Sequence, residues 1–178
     1  MFCGYVPQKY LLFCDKTVLE NITFGPDVAE FGAFPFLKWH RRKRMREFRS
    51  DALRFLERIG LDEADAYKYP HQLSGGMQQR VAIAQALVMQ PPILLMDEAF
   101  SALDPGTRKD MQRLIRDLWR QTRRTILFVT HNTREALCLG TRVITRGGPV
   151  VHDIAVPHID FDSDTSEVDA YVQELEYR

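Results

Sequence analysis

Two acidic residues, Asp97 and Glu98, follow a run of four apolar residues, and this arrangement is suited to phosphate chemistry. The apolar run, residues 93–96, is continuous rather than alternating, which is typical of a parallel strand covered on both faces. A carboxylate at the end of such a strand can reach a Mg²⁺ ion held on nucleotide phosphates, and its neighbour can then face the terminal phosphate. The alternative is an acidic pair that merely begins a helix. The flanking sequences ILLM and SALD favour the catalytic interpretation.

A second candidate site lies at residues 74–76, where Ser-Gly-Gly precedes a segment rich in Ala, Val and Leu that predicts a helix over residues 77–89. Small side chains leave backbone N–H groups accessible, and the start of a helix carries partial positive charge. The sequence therefore predicts an anion site, with the Ser74 hydroxyl as a further donor. A loop that only caps the helix would explain the glycines but not the flanking Leu73 or the Gln-Gln-Arg at residues 78–80.

Three more polar residues follow predicted strands or turns. His131 follows an apolar, β-rich run at residues 125–130 and should emerge at the carboxyl edge of the sheet, where open α/β folds bind ligands. Gln8 follows a short predicted strand at residues 2–6. Asp104 precedes Pro-Gly and suits a turn. A lone histidine or glutamine is a weak signal, so these residues gain meaning only from their order along the chain.

Strands and helices alternate in the segments that must position these residues. Apolar periodicity predicts helices at residues 41–59, ended by Gly60, and around residues 111–119. Thr133 is expected to cap a short helix to residue 139, and Ser166 one at residues 166–177. Residues 93–96, 125–130 and 142–145 have the character of strands, the first two buried, whereas residues 17–24 have a mixed pattern without an assignment. This alternation predicts an α/β fold with a mostly parallel sheet.

The motifs, taken in order, resemble those of the ATP-binding subunit of an ABC transporter. They are GYVPQ at residues 4–8, LSGGMQQR at 73–80, ILLMDEAFSALD at 93–104 and VTH at 129–131. The amino-acid sequences of these motifs look most like those of importers of the nitrate, sulfonate and taurine type. The resemblance covers roughly Gly4–Arg146 and implies an incomplete RecA-like P-loop NTPase core joined to the α-helical subdomain of ABC proteins. Ala99 and Gln85 depart from the family pattern, but neither change removes a reacting group.

The resemblance implies a role for each candidate residue. Glu98 matches the general base that polarises the attacking water, and Asp97 matches the Walker B ligand of Mg²⁺. Gln8 matches the Q-loop glutamine, which senses Mg²⁺ and the attacking water, and His131 matches the switch histidine that contacts the γ-phosphate. The signature motif and D-loop would bind ATP across a dimer interface through Ser74, Gly75, Gly76, Gln78 and Asp104.

The phosphate loop of this family is absent from the 178 residues. None of the ten glycines belongs to a G-x-x-x-x-G-K-[ST] motif. We therefore expect an N-terminally incomplete ATPase domain at residues 1–148, with β-strand and Q-loop at 1–8, helical subdomain and signature at 9–76, and the rest of the core at 77–148. An acidic tail would follow at 149–178. A truncated reading frame and a genuine half-domain predict the same sequence, and either would be inactive alone.

The function implied by the resemblance is ATP hydrolysis that powers solute uptake, with ATP and Mg²⁺ as cofactors. The expected partners are a second ATP-binding subunit, transmembrane permease subunits and, indirectly, a solute-binding protein. Two alternatives remain open: a non-catalytic half-domain that lends its signature motif to a partner, and a soluble ABC ATPase outside transport. The short helical insertion argues against the latter.

Composition bounds the remaining possibilities. The chain has 24 Lys and Arg, 24 Asp and Glu and three widely spaced cysteines, and no segment approaches the roughly 18 apolar residues of a membrane-spanning helix. We expect a cytoplasmic protein, peripheral on the inner face of the plasma membrane. Seven Lys or Arg at residues 38–49 predict a solvated helix face, with contact to anionic headgroups as a second role. We expect no nucleic-acid partner.

Overall fold

The computed structural model describes residues 3–31, 38–147 and 150–156. It divides into two compact units, Met1–Leu127 and Phe128–Arg178. The helix predicted at residues 166–177 and most of the predicted acidic tail lie outside the described residues. Strands and helices alternate in the described ranges, as predicted for an α/β fold.

A three-stranded sheet carries the first set of candidate residues. It consists of β1 (Cys3–Val6), β2 (Ile93–Asp97) and β3 (Thr125–Val129), in the order β1-β2-β3. Strands β1 and β2 are parallel, with Val6 opposite Met96. Gly4 permits this arrangement, since a Cβ atom there would lie 2.6 Å from Cγ of Pro91. Because the strands are parallel, the segments that follow them leave from the same edge of the sheet.

The predicted burial of these strands is only partly correct. Leu94 and Met96 are buried, whereas alternate residues of β2 are half-buried. For β3 the prediction of a buried strand is wrong, since Leu127 is 56% and Val129 47% exposed. The physical reason is position: among the strands of the described residues, β3 is the last in the order of the sheet and pairs with β2 alone.

Three helices, α1 (Val18–Phe31), α2 (Lys38–Arg58) and α3 (Gly75–Val88), pack against one another. Short 3₁₀ helices at Glu63–Tyr67 and Pro70–Gln72 connect α2 to α3. The helix predicted at residues 41–59 is confirmed as α2. The chain reverses direction just after α2, at Gly60, whose φ of +68° is easily reached only without a Cβ atom.

Helix α1 covers residues 18–24, whose apolar pattern is mixed and predicts no element. Thr17 and Glu20 form a reciprocal cap at its start: the Glu20 carboxylate accepts from the Thr17 backbone N–H at 2.8 Å, and the Thr17 hydroxyl accepts from the Glu20 N–H at 3.3 Å. This arrangement satisfies backbone donors that the first turn of a helix leaves without partners.

Two helices of the first unit carry candidate residues at their starts. Helix α3 begins at Gly75 rather than at residue 77, so the two signature glycines lie in its first turn instead of preceding it. Helix α4 (Pro105–Thr122) confirms the amphipathic helix predicted around residues 111–119, with Met111 and Ile115 buried.

The second unit contains α5 (Thr133–Leu139) and an antiparallel pair, β4 (Arg142–Gly147) and β5 (Val150–Ala155). The prediction that Thr133 caps α5 is wrong. Asn132 is the cap, because its side-chain oxygen accepts from the Glu135 N–H at 3.1 Å. Strand β5 occupies the first residues of the predicted acidic tail, and the predicted domain division stays a prediction.

The basic segment of α2 is exposed over the residues whose side chains are described. Arg44 donates to Glu30 of α1 at 2.8 Å and to Glu47 of its own helix at 2.5 Å. These two carboxylates raise the pKa of the Arg44 guanidinium above its usual range. Within the described ranges, none of the helices combines the length and apolar character needed to cross a bilayer.

Candidate functional site

The Q-loop glutamine and the predicted general base meet at the carboxyl edge of the sheet. Gln8 leaves this edge just after β1, and Glu98 leaves it just after β2. The Gln8 Nε2 atom donates a hydrogen bond of 2.7 Å to Oε2 of Glu98, although 90 residues separate them in sequence. Parallel pairing of the two strands produces this contact.

The backbone of Glu98 adopts a left-handed conformation, with φ of +45°. Such a conformation is uncommon for a residue with a side chain and is often found at functional sites. It turns the chain out of β2, and the Ser101 N–H then bonds to the Glu98 carbonyl at 3.0 Å. Asp97, the predicted ligand of Mg²⁺, is the last residue of β2 and is half-buried.

The first turn of α3 is open around its glycines. Ser74 is the N-cap, and its hydroxyl oxygen accepts from the Met77 N–H at 3.3 Å. A Cβ atom built on Gly75 would meet nothing nearer than the Tyr10 hydroxyl at 3.9 Å, and one on Gly76 nothing nearer than 3.7 Å. Packing within the chain therefore does not require glycine at either position. This open turn leaves room for a ligand to approach the backbone closely.

The signature turn lies beside two other candidate segments. The Cβ position of Gly76 is 3.7 Å from the carbonyl oxygen of Ala102, in the D-loop segment that follows Glu98. Gly75 faces Tyr10 of the segment after Gln8. The structure thus brings the predicted Q-loop, signature and D-loop segments together within the first unit.

Asp104 caps α4 with its own carboxylate. Its Oδ1 atom accepts from the Thr107 N–H at 3.1 Å. Hydrogen bonds from the Thr107 side chain and then from its backbone lower the pKa of this carboxyl. Asp104 therefore has a structural role in this chain, which is compatible with the predicted D-loop role and does not test it.

The two glutamines of the signature helix differ in environment. Gln78, predicted to bind nucleotide, is half-buried, and its Nε2 atom donates to the Leu73 carbonyl at 3.1 Å. Gln79, which the sequence did not single out, is fully buried. Its Nε2 atom lies 3.5 Å from the carbonyl oxygen of Pro7, next to Gln8.

His131 belongs to the second unit and is exposed there. The residues on either side of it are held by a small network. The Thr130 hydroxyl donates to the buried Glu135 carboxylate at 2.7 Å and accepts from the Asn132 N–H at 3.0 Å. This network fixes the backbone around His131.

Asn21 is a further site residue that sequence reasoning missed. It is fully buried in α1, and its side chain accepts from the Phe13 N–H at 2.8 Å and donates to the carbonyls of Phe13, Lys16 and Thr17 at 3.0–3.1 Å. These bonds fix the segment that follows the Q-loop. The mixed pattern of residues 17–24 contains no signal that separates Asn21 from the other polar residues there.

Comparison with known proteins identifies the family of this chain. The family model described as ABC transporter matches residues 2–101, and the chain belongs to this family.

Two curated relatives and one solved structure illustrate the similarity. The sulfate/thiosulfate import ATP-binding protein CysA 1 of Rhizobium meliloti is 39% identical over 92% of this chain and 44% of its own length. The taurine import ATP-binding protein TauB of Rhizobium johnstonii is 45% identical over 83% of this chain and 53% of its own length. A dimeric, post-hydrolysis structure of the ATP-binding cassette MJ0796 with ADP and Pi is 37% identical, with a TM-score of 0.68 over 80% of this chain and 57% of the other. This chain thus spans about half the length of the curated relatives it matches.

Proposed function

We propose that this chain forms the catalytic edge and signature helix of an ATP-hydrolysing subunit of an ABC importer. The 2.7 Å hydrogen bond between Gln8 and Glu98 carries the proposal. It joins two motifs far apart in sequence at the ligand edge of the sheet, as expected for a glutamine that orients a general base.

The residues present fit part of an Mg²⁺-nucleotide site. Asp97 ends a strand beside Glu98. The open first turn of α3 offers backbone N–H groups that can donate to a phosphate group. Asp97 would hold the cation, and residues Ser74, Gly75 and Gly76 would bind phosphate oxygens. When bound, the Mg²⁺-nucleotide supplies the phosphoanhydride bond to be cleaved and the charge that neutralises its oxygens.

The chain's own residues then have distinct tasks. The Glu98 carboxylate accepts a proton from the attacking water. General-base catalysis of this kind accelerates a reaction by about 10²–10⁴-fold. Gln8 donates to Oε2 of Glu98 and so holds the carboxylate in one orientation. His131, Gln78 and Asp104 are proposed to contact the nucleotide or the second subunit, as in the family that this chain belongs to.

The names of the relatives support import of a small solute. CysA 1 and TauB are named for sulfate or thiosulfate and for taurine, and another relative, OpuAA of Bacillus subtilis, for glycine betaine. We infer that the chain works with a second ATP-binding subunit and with permease subunits, at the inner face of the plasma membrane. The exposed Leu11 and Phe13, which follow the Q-loop, offer apolar surface for such a partner.

Replacing Glu98 by Gln tests the proposal in a version of this chain that is joined to the phosphate-loop segment of the family, called the full-length protein below. The change keeps the size of the side chain but removes its basicity, so ATP turnover should fall by about 10²–10⁴-fold while ATP affinity stays within about twofold. Turnover is measured by phosphate release and affinity by isothermal titration calorimetry.

The matched control is Glu57→Gln, the same change at an exposed position of α2, which should leave both quantities unaltered. If Glu98→Gln hydrolyses ATP at the unmodified rate, Glu98 is not the base. If turnover survives Glu98→Gln but is lost when the signature turn is altered, the chain acts instead as a non-catalytic half that lends its signature motif to a partner.

A further inference from the structure

Helix α3 contacts residues 7–10, which are the end of the Q-loop and the two residues after it, at two places on one face. Gln79 lies against the carbonyl of Pro7, and Gly75, four residues earlier, lies beside Tyr10. Residues four apart in a helix share a face, one turn above the other. Residues 7–10 therefore run along the signature helix rather than crossing it at a single point.

The contact between Gln79 and Pro7 lies next to the hydrogen bond between Gln8 and Glu98. Pro7 precedes Gln8 in the chain, and Gln8 donates to Glu98 at 2.7 Å. Since the Pro7 carbonyl can only accept, the Gln79 amide must present its NH₂ group to it. Three side chains, Gln79, Gln8 and Glu98, thus connect the middle of the signature helix to the predicted base.

The Gln79 amide is poorly satisfied for a buried group. Its one bond, at 3.5 Å, is at the outer limit for a hydrogen bond, and its Oε1 atom has no hydrogen-bond partner in the ranges that the structure describes. The side chain is 0% exposed, so solvent does not compensate. Since buried polar groups are normally paired, an apolar side chain of similar size would serve the stability of the fold as well or better.

We propose that Gln79 is a positioning residue: its buried amide holds the Pro7 carbonyl so that Gln8 reaches Glu98, and it thereby couples the signature helix to the base of the same chain. The reaction that this coupling serves rests on the proposed function. The geometry that Gln79 maintains does not rest on the proposed function. The geometry and the reaction are therefore tested separately.

The first experiment uses Gln79→Met, which removes the amide but keeps the length of the side chain. In the 178-residue chain, nuclear magnetic resonance reports the Gln8 side-chain NH₂ signals with and without the second change Glu98→Gln. In the unaltered protein these signals should shift when Glu98 is replaced, whereas in Gln79→Met the shift should fall by at least about half and amide exchange at Gln8 should accelerate about tenfold. The melting temperature should equal or exceed that of the unaltered protein.

Gln85→Met, the same change further along α3, is the matched control and should leave the Gln8 signals as they are. Unchanged coupling between Gln8 and Glu98 in Gln79→Met would overturn the proposal, whatever the protein hydrolyses. A lowered melting temperature would also overturn it, because Gln79 would then act in stability.

The second experiment measures kinetics in the full-length protein. Gln79→Met should lower kcat about tenfold with the KM for ATP unchanged, since nucleotide contacts remain and only the orientation of the base is affected. A raised KM with unchanged kcat would assign Gln79 to nucleotide binding and overturn the proposal. Absence of turnover in the unaltered protein would instead contradict the proposed function, and the resonance experiment would still decide the role of Gln79.

Discussion

Helices α3 and α4 begin with the same backbone geometry but with opposite electrostatic outcomes. Their caps, Ser74 and Asp104, have φ and ψ of −66° and 159° and of −65° and 159°. Each cap accepts from the N–H three residues later, at 3.3 Å in α3 and 3.1 Å in α4. The caps differ in charge: a hydroxyl begins α3 and a carboxylate begins α4.

This difference decides which helix start can serve a ligand. The partial positive charge at the start of α4 is balanced by the Asp104 carboxylate. Hydrogen bonds from the Thr107 side chain and then from its backbone lower the pKa of this carboxyl. At α3 the neutral Ser74 satisfies one donor and leaves the charge for an anion from outside the helix. We therefore predict that capping and anion binding are separable functions and that the charge of the cap residue decides whether a helix start can bind an anion.

The largest effect expected from this comparison follows Gly75→Asp. A carboxylate at the start of α3 would replace attraction of a phosphate by repulsion, weakening ATP-driven association of subunits by about 100-fold or more. Nearest to the new Cβ atom is the Tyr10 hydroxyl at 3.9 Å, so the fold has room for it. Sedimentation velocity of the full-length protein with ATP measures the association.

The control, Gln121→Asp, adds the same charge at an exposed position in the last turn of α4, away from both helix starts. It should leave ATP-driven association within about twofold of normal. Equal loss in both variants would mean that the added charge, and not its place at the start of α3, weakens the association.

An intermediate effect is expected at the cap of α3. Ser74→Ala removes the acceptor for the Met77 N–H and should lower the free energy of unfolding by about 1 kcal/mol. Ser74→Asp should keep that stability, because aspartate caps equally well, yet weaken ATP-driven association by about tenfold. Urea unfolding and sedimentation measure the two quantities. If Ser74→Asp loses both or neither, capping and anion binding are not separable here.

The smallest effect is a change in the pH dependence of stability. The folded pKa of Asp104 is depressed, so its carboxylate contributes stability above the carboxyl's ordinary pKa, about 4, and this contribution disappears as pH falls through the lower folded value. Asp104→Asn keeps a cap without a charge and should be less stable than the unaltered chain at pH 7 but not near pH 2. Melting temperatures of both proteins between pH 7 and 2 measure this. A constant difference over the whole range would contradict the assignment.

The sequence predicted those parts of the fold whose signal is local or carried by a motif. Helices α2 and α4 have clear apolar periodicity, and β2 is a continuous apolar run. Helix α1 was not assigned because its apolar pattern is mixed, although Thr-Val-Leu-Glu at residues 17–20 is a capping box. The exposure of Leu127 and Val129 was not predictable, since it depends on the place of β3 in the sheet.

The residues of the candidate site likewise fall into those that motifs identify and those that only the tertiary structure identifies. The sequence named Gln8, Ser74 and Glu98 through motifs, but it contains no sign that Gln8 and Glu98 touch, which requires the parallel pairing of β1 and β2. It also gave no reason to select Gln79 over Gln78, since both are glutamines in one helix and only packing separates them. Motifs identify reacting groups, whereas the residues that orient them depend on the tertiary structure.

At Glu98 the left-handed backbone lowers stability, whereas the side chain is proposed to serve activity. A residue with a side chain at φ of +45° is strained by about 1 kcal/mol, and glycine is not. Glu98→Gly should relieve this strain, but it also removes the proposed base and the hydrogen bond that Gln8 donates to it. Backbone strain alone therefore favours glycine at position 98, whereas the bond to Gln8 favours the glutamate.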